Sequence, residues 1–384
     1  MENRPRAVEG VERLNILEFY RGKRVFVTGH TGFKGSWLCR ILLDAGADVT
    51  GYSLQPPAEN LFSQAGLADV HTVIGDVRDF DALASAFDAA RPEIVLHLAA
   101  QPIVRESYRD PRATYETNVM GTVNLLECVR RSTTVRSFLN VTTDKVYHNR
   151  EWAWGYREID PLDGYDPYSN SKSCSELVTH SYQESFFADG HVAISTARAG
   201  NVIGGGDYAA DRIIPDCIRA VTAGQPIVLR SPHSTRPYQH VLEPLMAYLL
   251  IASRQYEDSQ LAGWYNVGPD DRDCVTTETL TKMFCTAWGH GAHYEIHADG
   301  GPHEATFLKL DCSKIKTSLG WQPTWGIKDA VRETVAFTRH QQAGGDVAQE
   351  MQREIQAFLA DQERKEEPIM QTAVSSTRGG QMPH

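Results

Sequence analysis

Apolar and polar positions along the chain follow two periods, and the switches between them mark an ordered series of elements. Arg24–Thr28 is a short apolar run. It leads into a glycine-rich turn and then into Ser36–Ala45, where apolar residues recur at helical spacing. Asp48–Ser53 and Val70–Gly75 read as a second and a third strand, Phe80–Ala90 as a helix, and Glu93–Ala99 as an apolar fourth strand. Ala113–Arg130 returns to helical spacing, Ser137–Thr142 is a fifth strand, Tyr168–Phe187 a helix and His191–Ala197 a sixth strand. Strands apolar on both faces, alternating with helices, predict an α/β fold: a doubly wound parallel sheet of Rossmann type with helices on both sides.

The pattern breaks after the glycine cluster Gly204–Asp207. Residues 1–200 are therefore read as mainly a dinucleotide-binding domain, and 201–340 as mainly a smaller mixed substrate lobe with returns to the main sheet. Residues 341–384 are read as an extension. Within it Asp346–Arg364 suits one amphipathic helix, and Glu366–His384, poor in apolar residues, reads as disordered. No internal repeat is visible.

Composition narrows the partners. The 384 residues carry a net charge of −11, which repels nucleic acid and anionic membrane overall and favours a small-molecule partner. An anionic substrate would then need a local cationic pocket. The seven cysteines are scattered, without a CxxC or a Cys/His cluster. Neither a metal site nor a disulfide framework is expected, and a reducing cytoplasm fits. Cys39, Cys128 and Cys174 sit in apolar helix patterns as small core residues. No apolar run reaches the ~18 residues of a membrane span. The polar, charged stretch Met1–Arg21 lacks the apolar centre of a signal peptide.

Three clusters carry chemistry. Lys23–Gly35 reads KRVFVTGHTGFKG, so Gly29, Gly32 and Gly35 stand between the first strand and the first helix. The first glycine permits the tight turn, the second lets backbone approach a pyrophosphate, and the third lets the helix pack closely. The helix N-terminus adds N–H groups for the anion. With Thr31 and Phe33 of the same turn, these are the candidate cofactor residues. Asp76 and Val77 after the third strand suit an adenine contact, although Asp76 also suits a turn or a helix cap. Leu98, Ala99 and Ala100 end the fourth strand with little bulk, so that a cofactor can cross the sheet edge. The second strand ends in Gly51-Tyr52-Ser53-Leu54, without the acid that binds an NAD ribose. NAD is the cofactor expected, and Lys34 nearby leaves NADP open.

The second cluster is Tyr168 and Lys172, four residues apart and so on one helix face, with Pro167 suited to the helix's first turn. An ammonium and an oxidised nicotinamide would lower the phenol pKa and make Tyr168 a base toward a sugar hydroxyl. The third is Thr143-Asp144-Lys145 at the carboxyl end of the fifth strand, where doubly wound sheets hold their ligands. Asn118, on the predicted helix Ala113–Arg130, is a candidate to bend that helix or to hold water near the cofactor.

Together these residues resemble the extended short-chain dehydrogenase/reductase superfamily, and more closely its CDP-glucose 4,6-dehydratase family. The segments that carry the resemblance are GHTGFKGSWL, TTDKVYHNREWAWGYRE, DPYSNSKSCSELV, ARAGNVIGGGDYAADRIIPD, RPYQHVLEPL and PHEATFLKLDCSK, spread over residues 15–340. Lys145 is informative, since the dTDP-glucose relatives resemble this chain but have Glu there. Val146, His148 and the tail after Ala343 depart from the pattern.

The resemblance implies an internal redox dehydration. C4 is oxidised, water is lost across C5 and C6, and hydride returns to C6 to leave a 4-keto-6-deoxy sugar. It implies that Thr143 bonds the C4 oxygen, that Asp144 protonates the departing C6 hydroxyl and that Lys145 takes the C5 proton. Asp144 could instead hold Lys145 charged. Arg212 and Arg236 are candidates for the substrate diphosphate, since the guanidinium fork matches phosphate oxygens. Asn201, Gln101 and His303 complete the implied substrate set, around a CDP-sugar bound by a homodimer or homotetramer. A 4-epimerase, which needs no acid–base pair at C5 and C6, and a non-catalytic dinucleotide sensor are the rival readings.

Overall fold

The computed structural model describes residues 16–297 and 307–366. Six strands arise where the apolar runs stand: β1 (Arg24–Thr28), β2 (Asp48–Ser53), β3 (His71–Ile74), β4 (Ile94–His97), β5 (Ser137–Thr143) and β6 (Ala193–Ala199). A seventh, β7 (Trp264–Val267), comes back from the later part of the chain. All are parallel, in the order β7-β6-β5-β4-β1-β2-β3. The order reverses between β1 and β4, which opens a crevice at their carboxyl ends, the place where such sheets bind ligands.

Helices cover both faces because the buried strands alternate inward to two cores. Val25 and Val27 of β1 pack with Trp37, Leu38 and Ile41 on one side, while Phe26 packs with Phe87, Leu125 and Phe138 on the other. Helix α1 (Phe33–Asp44) serves the first core, and α2 (Phe80–Ala90) and α3 (Gly121–Arg131) the second. The Asp79 carboxylate caps α2 by accepting the Ala82 N–H. A third cluster, built around Ile214, Leu280, Phe284 and Val331, belongs to the region after β6. Short strand pairs flank it: Ile227–Leu229 with Tyr294–Ile296, and Thr235–Arg236 with Val275–Thr276.

The expected helix Ala113–Arg130 is not continuous. It is a short helix Pro111–Tyr115, a π turn Glu116–Met120 and then α3. Asn118 sits in the π turn and is buried. Its amide donates to the Gln101 carbonyl at 3.1 Å and to Ser171 Oγ at 2.9 Å, and its Oδ1 accepts the Gln101 N–H at 2.8 Å. The widened turn turns this side chain inward, where it ties the end of β4 to the helix that carries Tyr168. Of the three cysteines expected in the core, Cys39 and Cys128 are buried and Cys174 is only partly so. The extension forms one helix, Val347–Glu366, whose Met351, Ile355 and Phe358 are buried. Residues 367–384, the rest of the expected disordered tail, lie outside the described residues. Among the described residues no helix is long and apolar enough to cross a membrane.

Candidate active site

One cavity of about 860 Å³ runs along the carboxyl ends of β1, β4, β5 and β6. Its cofactor end is shaped by the first strand-to-helix turn. Gly29 has φ +75°, and a Cβ there would stand 2.8 Å from the Ala99 nitrogen. A Cβ on Gly35 would stand 2.2 Å from the Gly29 carbonyl. Both positions are closed to any side chain, and α1 begins without a side-chain cap, which leaves its first N–H groups for an anion. Thr31, Gly32, Phe33, Asp76, Val77, Leu98, Ala99 and Ala100 line the same end. The Thr31 hydroxyl bonds Ser53 Oγ at 2.8 Å and so fixes the turn against the end of β2. These residues fit a dinucleotide. Gly35→Ala is expected to lose most cofactor affinity together with thermal stability; isothermal titration with NAD and a melting curve check it, and wild-type values for both would show that the turn has room.

Asp76 is not a lone carboxylate. Arg78 grips it with hydrogen bonds of 2.6 and 2.9 Å, which holds its carboxyl below the usual range. Lys34 also lies elsewhere than its place beside β2 suggested. Its Nζ donates to the Tyr248 hydroxyl at 3.4 Å, and the charges of Lys172, Arg212 and Asp144 act on it. Burial first, and those cations second, pull its pKa down to about 7. It therefore belongs to the catalytic end, and the case it made for an NADP ribose phosphate falls away.

The catalytic end joins two elements. Helix α4 (Pro167–Phe186) starts with Pro167 in its first turn, and the Asp166 carboxylate caps it by accepting the Ser169 N–H at 3.0 Å. That start points Tyr168 and Lys172 into the cavity. Lys172 Nζ donates to the Val141 carbonyl of β5 at 3.0 Å. One turn further, Glu176 is gripped by Arg198 at 2.9 Å and by the hydroxyls of Thr142 and Thr196, which pins α4 to β5 and β6. Thr143, Asp144 and Lys145 follow at the tip of β5, all in the cavity wall. The Thr143 hydroxyl donates to Asp144 Oδ1 at 2.9 Å, while Oδ2 is buried without a partner.

Burial acts in the same direction on the two acids of the site. Burial raises the Asp144 pKa against the pull of Lys145, Thr143, Arg236 and Lys34, so the carboxyl keeps its proton to higher pH than a free one does. Burial also raises Tyr168, to about 12, more than its hydrogen bond with Thr143 and the Arg212 charge lower it. The lowering of this phenol was expected from an ammonium and an oxidised nicotinamide together, and the protein's side chains by themselves do not produce it. Burial outweighs the protein's cations there.

Lys172 itself is depressed from 10.5 to about 8 by burial, opposed by Glu176. The unfolded chain therefore binds the extra proton between about pH 8 and 10.5, so stability rises with pH across that window. Below it the buried ammonium costs stability, and Lys172→Met, which keeps the shape, is expected to melt higher at pH 7 by roughly 1–3 kcal/mol in stability. Thermal melts from pH 7 to 10 check this. A variant less stable than wild type at pH 7 would contradict it.

The substrate end is cationic. Arg236 is 4 % exposed, Arg212 pairs with Asp207 at 2.9 Å, and both line the cavity with Asn201. Gln101 is not in the wall. Its side chain is spent on the Ile103 carbonyl and N–H and on Thr114, at 2.7–3.2 Å, so it shapes the loop after β4. Asn118 likewise acts through its three hydrogen bonds and is not in the wall. His303 lies outside the described residues. Reading the sequence put Lys34 on the ribose side and missed Arg105 and Arg230, which the fold brings to the cavity from two further segments. Among the described residues no cluster of His, Cys, Asp or Glu could hold a metal ion.

Comparison with known proteins agrees with this geometry. Residues 26–334 match the family model described as GDP-mannose 4,6 dehydratase. The CDP-glucose 4,6-dehydratase of Salmonella typhimurium is 47% identical over 350 residues, which are 89% of this chain and 98% of that protein. A probable dTDP-glucose 4,6-dehydratase of Sinorhizobium fredii is 28% identical, over 82% of this chain and 92% of its own. Among solved structures, the dTDP-glucose 4,6-dehydratase of Streptomyces venezuelae with NAD and TYD bound superposes with a TM-score of 0.73 at 24% identity, covering 84% and 98% of the two chains. The UDP-glucose 4-epimerase of Thermus thermophilus in complex with NAD gives 0.70 at 26%, covering 82% and 98%. The chain belongs to the nucleotide-sugar 4,6-dehydratase family that the GDP-mannose 4,6 dehydratase model describes.

Proposed function

We propose that the chain is an NAD-dependent CDP-glucose 4,6-dehydratase that forms CDP-4-keto-6-deoxyglucose. The observation that carries this reading is the buried Asp144 carboxyl, raised in pKa and with a free Oδ2, beside Lys145 and within the same cavity as Tyr168 and Lys172. An epimerase needs only the Tyr168 half of that set. The 47% identity to a CDP-glucose 4,6-dehydratase supports the choice of nucleotide.

NAD, held at Gly29–Gly35, Asp76 and Leu98–Ala100, supplies the oxidant for C4 and the reductant for C6. The protein's own groups move the protons. Tyr168 takes the proton of the C4 hydroxyl while Thr143 holds the C4 oxygen, and Lys172, fixed on the Val141 carbonyl, stabilises the phenolate. The C4 ketone acidifies C5. Lys145 takes the C5 proton and Asp144 gives its own to the C6 hydroxyl, which leaves as water; when C6 is reduced Lys145 returns its proton to C5, and the proton Tyr168 took from the C4 hydroxyl restores that of Asp144. Arg236 and Arg212 hold the diphosphate throughout.

Incubation with CDP-, dTDP-, GDP- and UDP-glucose, followed by alkaline absorbance of the keto sugar, tests the reading. CDP-glucose should give the signal with the highest kcat/KM; no keto product from any of the four would overturn the dehydratase reading. Arg236→Ala should raise KM about 10- to 100-fold with a much smaller change in kcat, because a diphosphate contact is equal in ground and transition states. An unchanged KM removes Arg236 from the substrate site.

The same reading takes the chain as a cytoplasmic homodimer or homotetramer. Leu177 and Phe186 on α4, 53% and 48% exposed, support self-association. Light scattering that finds a monomer at working concentration contradicts it.

A further inference from the structure

Besides the candidate diphosphate residues, the cavity lining holds a patch with two chemical characters. Val228 is apolar yet 53% exposed, on a strand whose neighbours Ile227 and Leu229 are buried. With Ile213 and Pro215 it offers flat apolar walls in that lining. Next to Val228 the guanidinium of Arg230 stands between two carboxylates, 3.0 Å from Asp211 and 3.6 Å from Asp216. Asp211 also faces Arg105 at 3.7 Å, which joins the loop after β4 to this lobe. Asp211 holds φ +60°, a left-handed conformation unfavourable for a non-glycine residue, and the ion pairs keep it in place.

Arg212 is the residue before helix Ile213–Thr222, and Asp216 lies one turn inside it. Arg230 follows the strand Ile227–Leu229, on the segment that leads to Arg236. Arg230 and Asp216 line the same cavity as Arg212 and Arg236, so a nucleoside whose diphosphate is held by those two arginines has its base within the lining that Arg230 and Asp216 share. Resting on the substrate reading above, we infer that Arg230 and Asp216 select the base: Arg230 donates to N3 and O2 of cytosine, and Asp216 accepts from its exocyclic amine. Uracil and thymine invert the middle and upper positions of that edge. Their O4 would face the Asp216 carboxylate and their N3–H would face the guanidinium, acceptor against acceptor and donor against donor. The ring itself lies against Val228, which accounts for an exposed apolar side chain inside a polar cavity.

The test measures kcat/KM for CDP-glucose and UDP-glucose with saturating NAD, in wild type, Asp216→Asn and Arg230→Gln. The ratio of the two constants should fall roughly 5- to 150-fold in Asp216→Asn, whose amide can donate to O4, and by a similar amount in Arg230→Gln. A ratio unchanged in both overturns the inference. Should either variant fail to fold, wild type alone still decides: CMP must inhibit more strongly than UMP, and equal inhibition overturns it. The two levels of the claim fail separately. Wild type that leaves CDP-glucose untouched but dehydrates another nucleotide sugar sinks the substrate reading, whereas wild type that dehydrates CDP-glucose while CMP and UMP inhibit alike sinks only the base selection.

Discussion

Tyr168→Phe is expected to lose roughly 100- to 10,000-fold in kcat while cofactor and substrate still bind, since that is the range lost when one positioned acid–base group is removed. The change deletes a single oxygen. Pro167 and the Asp166 cap still start α4, and Lys172 still rests on the Val141 carbonyl, so the cavity keeps its shape. Burial raises the phenol to about 12, and the protein's own cations do not undo this. Proton removal at C4 therefore depends on the positive charge that the oxidised cofactor brings. Wild type should accordingly show a larger drop in the Tyr168 pKa on binding NAD than on binding substrate, readable as a shift in phenolate absorbance against Tyr168→Phe. Turnover within a few-fold of wild type would remove Tyr168 from the chemistry.

Asp144→Asn and Lys145→Met should each abolish net dehydration, by about the same 100- to 10,000-fold, but fail at different protons. Neither touches Tyr168, Lys172 or the glycine turn, so both should still oxidise C4. In deuterated solvent Asp144→Asn should keep exchanging the C5 hydrogen, because Lys145 remains and the ketone still acidifies that position. Lys145→Met should lose the exchange. The buried, raised carboxyl of Asp144 is the proton donor in this scheme, so alkaline pH that ionises it should slow wild-type water loss. If Lys145→Met exchanges C5 as fast as wild type, the base is another group, and Asp144 keeps its place while Lys145 loses its own.

Much of the fold was legible because burial on both faces leaves continuous apolar runs. Arg24–Thr28, Asp48–Ser53 and Phe80–Ala90 stand where the pattern put them. Strand and helix ends shifted by one to three residues elsewhere, as at Ala193–Ala199, where hydrogen bonding to β5 and β7 extends the strand beyond Ala197. The π turn at Asn118 was not legible, because a widened turn keeps the helical spacing of apolar residues and depends on partners in β4's loop and α4.

By itself the sequence determined the local chemistry: a turn that admits only glycine, a helix start that aims Tyr168 and Lys172 the same way, and a polar triplet at a buried strand's tip. Each depends on residues within one short segment, where spacing alone sets geometry. Tertiary structure decided what those groups can do. It moved Lys34 from the ribose side to the catalytic end, spent Gln101 and Asn118 on tying loops together, and gathered Arg105, Arg230 and Asp211 in one patch from distant segments. It also set the pKa values, because desolvation depends on everything packed around a group. That is why the Asp144 carboxyl and the Tyr168 phenol are both raised by their surroundings, which no single segment of sequence shows.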